Sequence, residues 1–336
     1  MLTERRSAIL GLVIDEYVAT AIPVSSRALV NRHGLNVSTA TIRNELALLE
    51  EDGYITHPYT SAGRVPSDRG YRHYVEVLMA EEPVGPDEQR TIEHQLHQVR
   101  GGLDEWLSLT ATILATAVDC VAVVTRPRAE DARLKHAQLV ELQGDLALLV
   151  AVMADGRVRQ SMVTITTPLN QSQLNARAEQ LNLLLGGADR AAALEAASTQ
   201  EDVNNTRILT AIAALIGEQR VAEETYLDGL QIVLQQPEFH DVERLRVAVD
   251  RLNAYDVRGL VEHAGAADIG ETRVLIGEEH GDVAMRDWSV VLASYGDGET
   301  NGMVAVLGPT RMHYQRSIPR VRYVASLMSS LLHDVR

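Results

Sequence analysis

The chain has 336 residues, 46% of them apolar and only 4% aromatic, which fits two or three domains with cores of Leu, Val, Ile and Ala. One cysteine, Cys120, excludes an intramolecular disulfide and fits a reducing cytoplasm. A net charge of −15 argues against a chain that coats nucleic acid throughout, but residues 1–80 hold eight Arg against nine acids, so phosphate is approachable only there.

In chain order, Ile9, Leu10, Val13, Ile14, Tyr17 and Val18 form a stripe at helical spacing, closed by Pro23. Ser25 caps a short helix, Ser26 to Arg32, that ends near Gly34. Ser38 caps a third helix with Ile42, Leu46 and Leu49 on one face and Gly53 as its stop. Two β-prone pieces, Tyr54 to His57 and Arg64 to Val65, flank the turn-forming run PYTSAG, and Ser67 starts another helix. Residues 81–86, EEPVGP, read as a linker. One long helix is predicted from Asp87 to about Val118, interrupted at Gly101–Gly102.

Strands follow at Val121 to Val124, Ala137 to Leu142, Leu146 to Met153 and Val158 to Ile165, with ADG at 154–156 as a hairpin turn. A helix from Gln171 to Leu185 stops at Gly186–Gly187. Residues 188–236 are weakly patterned and read as mostly helical, and a further helical region spans Val242 to His263. Strands return at Thr272 to Gly277, Ser289 to Tyr295 and Gly302 to Leu307, before a final amphipathic helix, Ile318 to His333. This order predicts a sheet domain with an insertion. Apolar runs such as Leu146 to Ala154 are too short to span a bilayer, and the first eighteen residues are not patterned as a signal peptide.

The constellation that carries chemistry is VSTATIRNELALLEEDGYI, Val37 to Ile55, with the hairpin after it. In a helix-turn-helix the first turns of the second helix face base edges in the major groove. Those positions are Thr39, Thr41, Arg43 and Asn44; Arg pairs bidentately with guanine and Asn with adenine. Ser25, Ser26 and Arg27 open the preceding helix, and with Ser38 they are placed to take phosphate. Tyr59, Thr60, Ser61 and Arg64 lie at or beside the hairpin tip, where a wing touches the backbone or minor groove, and Arg69 and Arg72 add charge behind it. Read alone, the third helix has about even odds of being an ordinary amphipathic surface helix. The hairpin shifts those odds.

Leu49 to Met79, LEEDGYITHPYTSAGRVPSDRGYRHYVEVLM, resembles the wing region of the heat-inducible repressor HrcA family. Gly302 to Leu332 resembles that family's C-terminal signature, and IGEEH at 276–280 and QQPEFHDVERL at 235–245 match as well. The resemblance spans nearly the whole chain and is weakest at 188–234. It implies an α+β multidomain protein: a winged helix-turn-helix at 1–80, a linker and long helix at 81–119, and a GAF-like α/β domain at 120–187 and 237–336. A mostly helical dimerisation domain is inserted at 188–236. It also implies repression of heat-shock chaperone operons by a homodimer on a double-stranded inverted-repeat operator, CIRCE, with the chaperonin GroEL modulating activity. The family has no obligatory cofactor and is not an enzyme.

Weaker signals have blander readings. His94 and His97 share one helix face but read as solvated rather than as metal ligands. Glu278, Glu279, His280 and Asp282 read as an acidic surface turn. Arg311, Arg316, Arg320 and Arg322 read as cover for an acidic neighbour; the alternative is that they brace the DNA-binding domain or a dimer. Cys120 reads as a buried, inert thiol. No nucleophile–base constellation speaks for an enzyme. The rival reading from another class is a ligand-sensing regulator whose GAF-like domain binds a small molecule, and it rests on fold analogy alone.

Overall fold

The N-terminal helices begin where the sequence supplies caps. The computed structural model describes residues 2–58, 63–99, 102–129, 133–142, 145–154, 156–166, 168–217, 225–239, 269–297 and 300–334. The side chain of Thr3 accepts from the Arg6 N–H at the start of α1, Glu4–Thr20. Ser25 does the same for α2, Ser26–His33, and Ser38 for α3, Thr39–Glu51. Ile9, Leu10, Val13, Ile14 and Val18 of α1 pack with Leu29 and with Ile42, Leu46 and Leu49. A two-stranded antiparallel pair follows, β1 (Ile55–Thr56) with β2 (Val65–Pro66). Val24 bridges Arg64 beside it. Gly63 is required there, because a Cβ would stand 2.5 Å from the Pro23 carbonyl oxygen. Helix α4, Asp68–His73, continues into a π-helical turn, Tyr74–Leu78.

The predicted long helix is two helices, α5 (Pro86–His97) and α6 (Leu103–Val118). An antiparallel sheet runs in the order β8-β3-β11-β10-β9, with β3 at Val121–Thr125, β8 at Thr225–Asp228, β9 at Thr272–Ile276, β10 at Trp288–Gly296 and β11 at Thr300–Pro309. Strand β8 falls where the sequence predicts helix; the short helix α10, Leu230–Leu234, follows it. The last helix, α11, spans Tyr314–Asp334. One sheet face, with Val124, Val291, Ala293 and Val306, packs in a cluster with Leu107 and Leu114 of α6 and Val321, Val324 and Met328 of α11. That cluster is continuous with the N-terminal core. The opposite face gathers Val121, Val123, Val290, Leu292 and Leu307 with Val233, Met285 and Trp288. The helix expected at Val242 to His263 lies outside the described residues.

Residues 128–220 form a second compact unit; the first comprises 1–127 and 221–336. This partition differs from the sequence expectation, which assigns 120–187 to one sheet domain and only 188–236 to the insertion. After the two-residue strand β4 (Arg128–Ala129), strands β5 (Leu134–Glu141), β6 (Leu146–Met153) and β7 (Val158–Thr164) pair in a meander of their own. Their inner face packs with α7 (Gln171–Leu185), α8 (Arg190–Ser198) and α9 (Val203–Gly217). Asn182 of α7 accepts from the Ala137 N–H at 2.7 Å and donates to its carbonyl at 2.8 Å. The free edge of β5 is thus capped at Ala137 by a helix side chain.

Candidate nucleic-acid interface

Helix α3 is amphipathic in the way a reading helix must be. Ile42, Leu46 and Leu49 are buried, while Thr39, Ala40, Arg43, Asn44 and Ala47 are exposed. Arg43, Asn44 and Thr39 have no side-chain partner among the described residues, so their donors and acceptors remain available. Thr41 differs: its hydroxyl lies 2.9 Å from Ser38 Oγ, which also accepts from the Thr41 N–H at 3.0 Å. Thr41 and Ser38 are therefore occupied in building the start of the helix. Ser25 Oγ is likewise engaged as a cap, accepting from Ala28 N at 3.1 Å, whereas Ser26 is half-buried and Arg27 exposed beside it. Ala40 and Ala47 lie on the exposed face and were not singled out by sequence; a small residue carries no polar signal to flag it.

Charge pairing sorts the arginines. Arg5 and Arg6 face Glu45, Arg32 faces Glu16, Arg64 faces Glu50 and Arg72 faces Glu279. Arg27 and Arg43 have no such partner among the described residues. Arg64, expected at the wing, has its guanidinium 3.2 Å from Glu50 and is mostly buried. Arg69 donates to the Asp52 carbonyl at 2.7 Å and stacks over Tyr54, 4.6 Å from the ring centre. It thereby satisfies a carbonyl at the end of α3. Tyr59, Thr60 and Ser61 lie outside the described residues.

Arg72 departs furthest from its expected place behind the wing. Its Nε donates to Glu279 at 2.8 Å and its Nη2 to the Val274 carbonyl at 2.7 Å, so it faces the sheet. The acidic segment at 278–282 is accordingly not a plain surface turn. Asp68 lies one helical turn earlier and accepts from the Glu278 N–H at 2.8 Å. Burial raises the Asp68 carboxyl above its usual range, with Glu278 and Glu279 adding to the rise against the lowering hydrogen bond. His280 is buried, which holds its imidazole below the ordinary range.

The basic stretch that runs from Arg311 into α11 pairs with acids and also braces. Arg311 binds Glu238 and reaches the Val18 carbonyl of α1 at 3.3 Å. Arg320 is buried between Glu82, at 3.0 Å, and Glu88, at 2.8 Å. Arg322 takes Glu81 with two bonds of 2.9 Å. The segment predicted as a linker is thus fastened to α11. His94 and His97 are exposed on α5, where His97 Nδ1 lies 2.7 Å from the Glu93 carbonyl. Burial pushes the Cys120 thiol up to about 12. No described helix is long and apolar enough to cross a membrane.

The family model described as HrcA protein C terminal domain matches residues 104–318. The heat-inducible transcription repressor HrcA of Roseiflexus castenholzii is 42% identical over 343 residues, covering 99% of this chain and 95% of its own. The chain belongs to the HrcA family. The HrcA of a Dehalococcoides mccartyi strain is 33% identical across 100% of this chain and 97% of its own. Both HrcA relatives extend over α1 to α4, which precede the match to the C-terminal family model. A solved structure described only as a hypothetical protein at 2.2 Å resolution has a TM-score of 0.59 at 23% identity and covers 100% of each chain, a likeness of fold.

Proposed function

We propose that the chain is a transcription repressor that binds an inverted-repeat operator of the CIRCE type as a homodimer. Residues 1–80 act as a winged helix-turn-helix, with α3 in the major groove and the β1–β2 hairpin as the wing. Arg43 and Asn44 read bases, Thr39 contacts the first base or phosphate, and Arg27 and Ser26 at the start of α2 take phosphate. The observation that carries this reading is the face of α3 that presents Thr39, Arg43 and Asn44 without side-chain partners among the described residues, over a buried Ile42–Leu46–Leu49 seam. The sheet with its covering helices serves as a GAF-like body and residues 128–220 as the dimerising insertion. The outer face of β5–β7 supports self-association, because Val158 and Met162 are 64% and 67% exposed there. Repression of chaperone operons, with chaperonin modulating activity, is the corresponding cellular role.

A gel-shift titration on an inverted repeat and on a scrambled duplex tests the proposal. Specific binding that weakens steeply with salt is expected, through release of counterions from phosphate. Equal affinity for both duplexes would defeat it.

A further inference from the structure

Helix α4 lies between the sheet and the recognition helix and is bonded to both. On the recognition side, Ser67 Oγ donates to the Gly53 carbonyl at 2.6 Å and Arg69 to the Asp52 carbonyl at 2.7 Å, both at the end of α3. On the sheet side, Asp68 and Arg72 are spaced i, i+4, on one helix face. Asp68 accepts from Glu278 N, and Arg72 grips Glu279 and the Val274 carbonyl. Glu279 is itself held, accepting from the Ile276 N–H at 2.9 Å. Gly277 has φ +52, and a Cβ there would stand 2.1 Å from Asp68 Oδ2, so the carboxylate seats against bare backbone.

The seat is reinforced on both flanks. Gln315 of α11 donates to Tyr74 Oη at 2.6 Å, and Tyr74 donates to Asp15 of α1. The buried rings of Tyr71 and Tyr314 meet with centres 5.9 Å apart. Glu82 N donates to the Gln315 carbonyl at 2.8 Å. A tether that only joined two domains would need none of these contacts.

We infer that Asp68, Arg72, Gly277 and Glu279 are positioning residues that fix the direction in which α3 is presented, and so set the half-site spacing the repressor accepts. They touch no base. They act through α4 on α3, in each protomer of a dimer. The inference rests on the inverted-repeat reading above, because spacing has meaning only when two mounted helices must reach two half-sites at once.

The experiment measures affinity of the full chain for operators whose spacer is shortened or lengthened by one and two base pairs, and for a single half-site duplex. The wild type is expected to lose about tenfold or more at wrong spacings, the cost of straining a fixed geometry. Asp68→Ala and Glu279→Gln are expected to bind the half-site duplex as the wild type does, while their spacing preference flattens to within about threefold. Asp68→Asn, which keeps an acceptor for the Glu278 N–H, should retain the preference. Arg72→Gln should leave the slope of affinity against salt unchanged. A slope reduced by about one would make Arg72 a phosphate contact and overturn its positioning role. Wild-type spacing preference in Asp68→Ala and Glu279→Gln also overturns the inference, as does an equal loss on half-site and full operator. A wild type indifferent to spacing overturns the inverted-repeat reading, and the inference with it.

Discussion

Strands β10 and β6 are each flanked by a strand on both sides in an antiparallel sheet, yet they are buried differently. All nine residues of β10 are buried. In β6, Ala147, Leu149, Ala151 and Met153 are buried while the residues between them are not. The first pattern belongs to a sheet with packed side chains on both faces, the second to a sheet covered on one. The uncovered face of β5–β7 is mixed: Leu146, Val158 and Met162 stand open on it beside Gln138, Gln160 and Thr164. A strand's periodicity therefore reports the number of layers around it, and an apolar residue on its open side marks a surface that gains by being covered.

The comparison can be broken in several ways. Leu292→Ala, in the two-sided sheet, is expected to destabilise the chain by about 2–5 kcal/mol in urea unfolding; a loss under about 1 kcal/mol would contradict a tightly filled core. Arg43→Ala lies outside both sheets and is expected to cost about 1–3 kcal/mol of operator binding with altered base preference, leaving the melting temperature in place. Met162→Asp on the open face is expected to weaken self-association by about tenfold or more in sedimentation equilibrium. The same substitution should change unfolding of the separated chains by no more than about 0.5 kcal/mol. Leu149→Ala, on the same strand pair's inner face, should do the reverse.

The smallest effect is electrostatic. Hydrogen bonds from Arg177 and from the Asn205 N–H lower the Asp202 carboxyl to about 2. A carboxyl lowered in the folded state adds stability above the ordinary carboxylate range and loses it as pH falls toward about 2. The group is exposed, so solvent screening keeps the contribution under about 1 kcal/mol. Asp202→Asn should flatten the acid limb of the stability curve by that amount, and an unchanged limb would show that the pair contributes nothing.

Local signals were legible where a cap and a stop bracket a segment. Helix α7 starts after Asn170 and ends before Gly186, where the sequence places it. Helix α3 is bounded by Ser38 and Asp52–Gly53 in the same way. The failures are non-local. Strand β8, TYLD, is four residues at a sheet edge, and only its pairing with β3 makes it a strand. Arg72 carries a positive charge behind a hairpin, a fair reason to expect phosphate, but its partner Glu279 lies 207 residues away. The limits of the second unit were hidden for the same reason, since alternation in β5–β7 shows a half-covered sheet without showing which strands pair. Thr41 looked like a reader because its hydroxyl is polar; the bond to Ser38 appears only with the turn geometry.

The β3–β8 pairing has a kinetic consequence. Thr125 lies opposite Thr225, so the whole stretch between them is a loop whose ends meet across one strand spacing. Closing a loop of roughly a hundred residues costs only logarithmically more than closing a short one, yet that entropy must be spent before the edge pairing returns anything. The β8 edge is therefore expected to zip last in refolding. Joining Thr125 to Thr225 through a two-residue turn would change a late, long-range contact into an early hairpin.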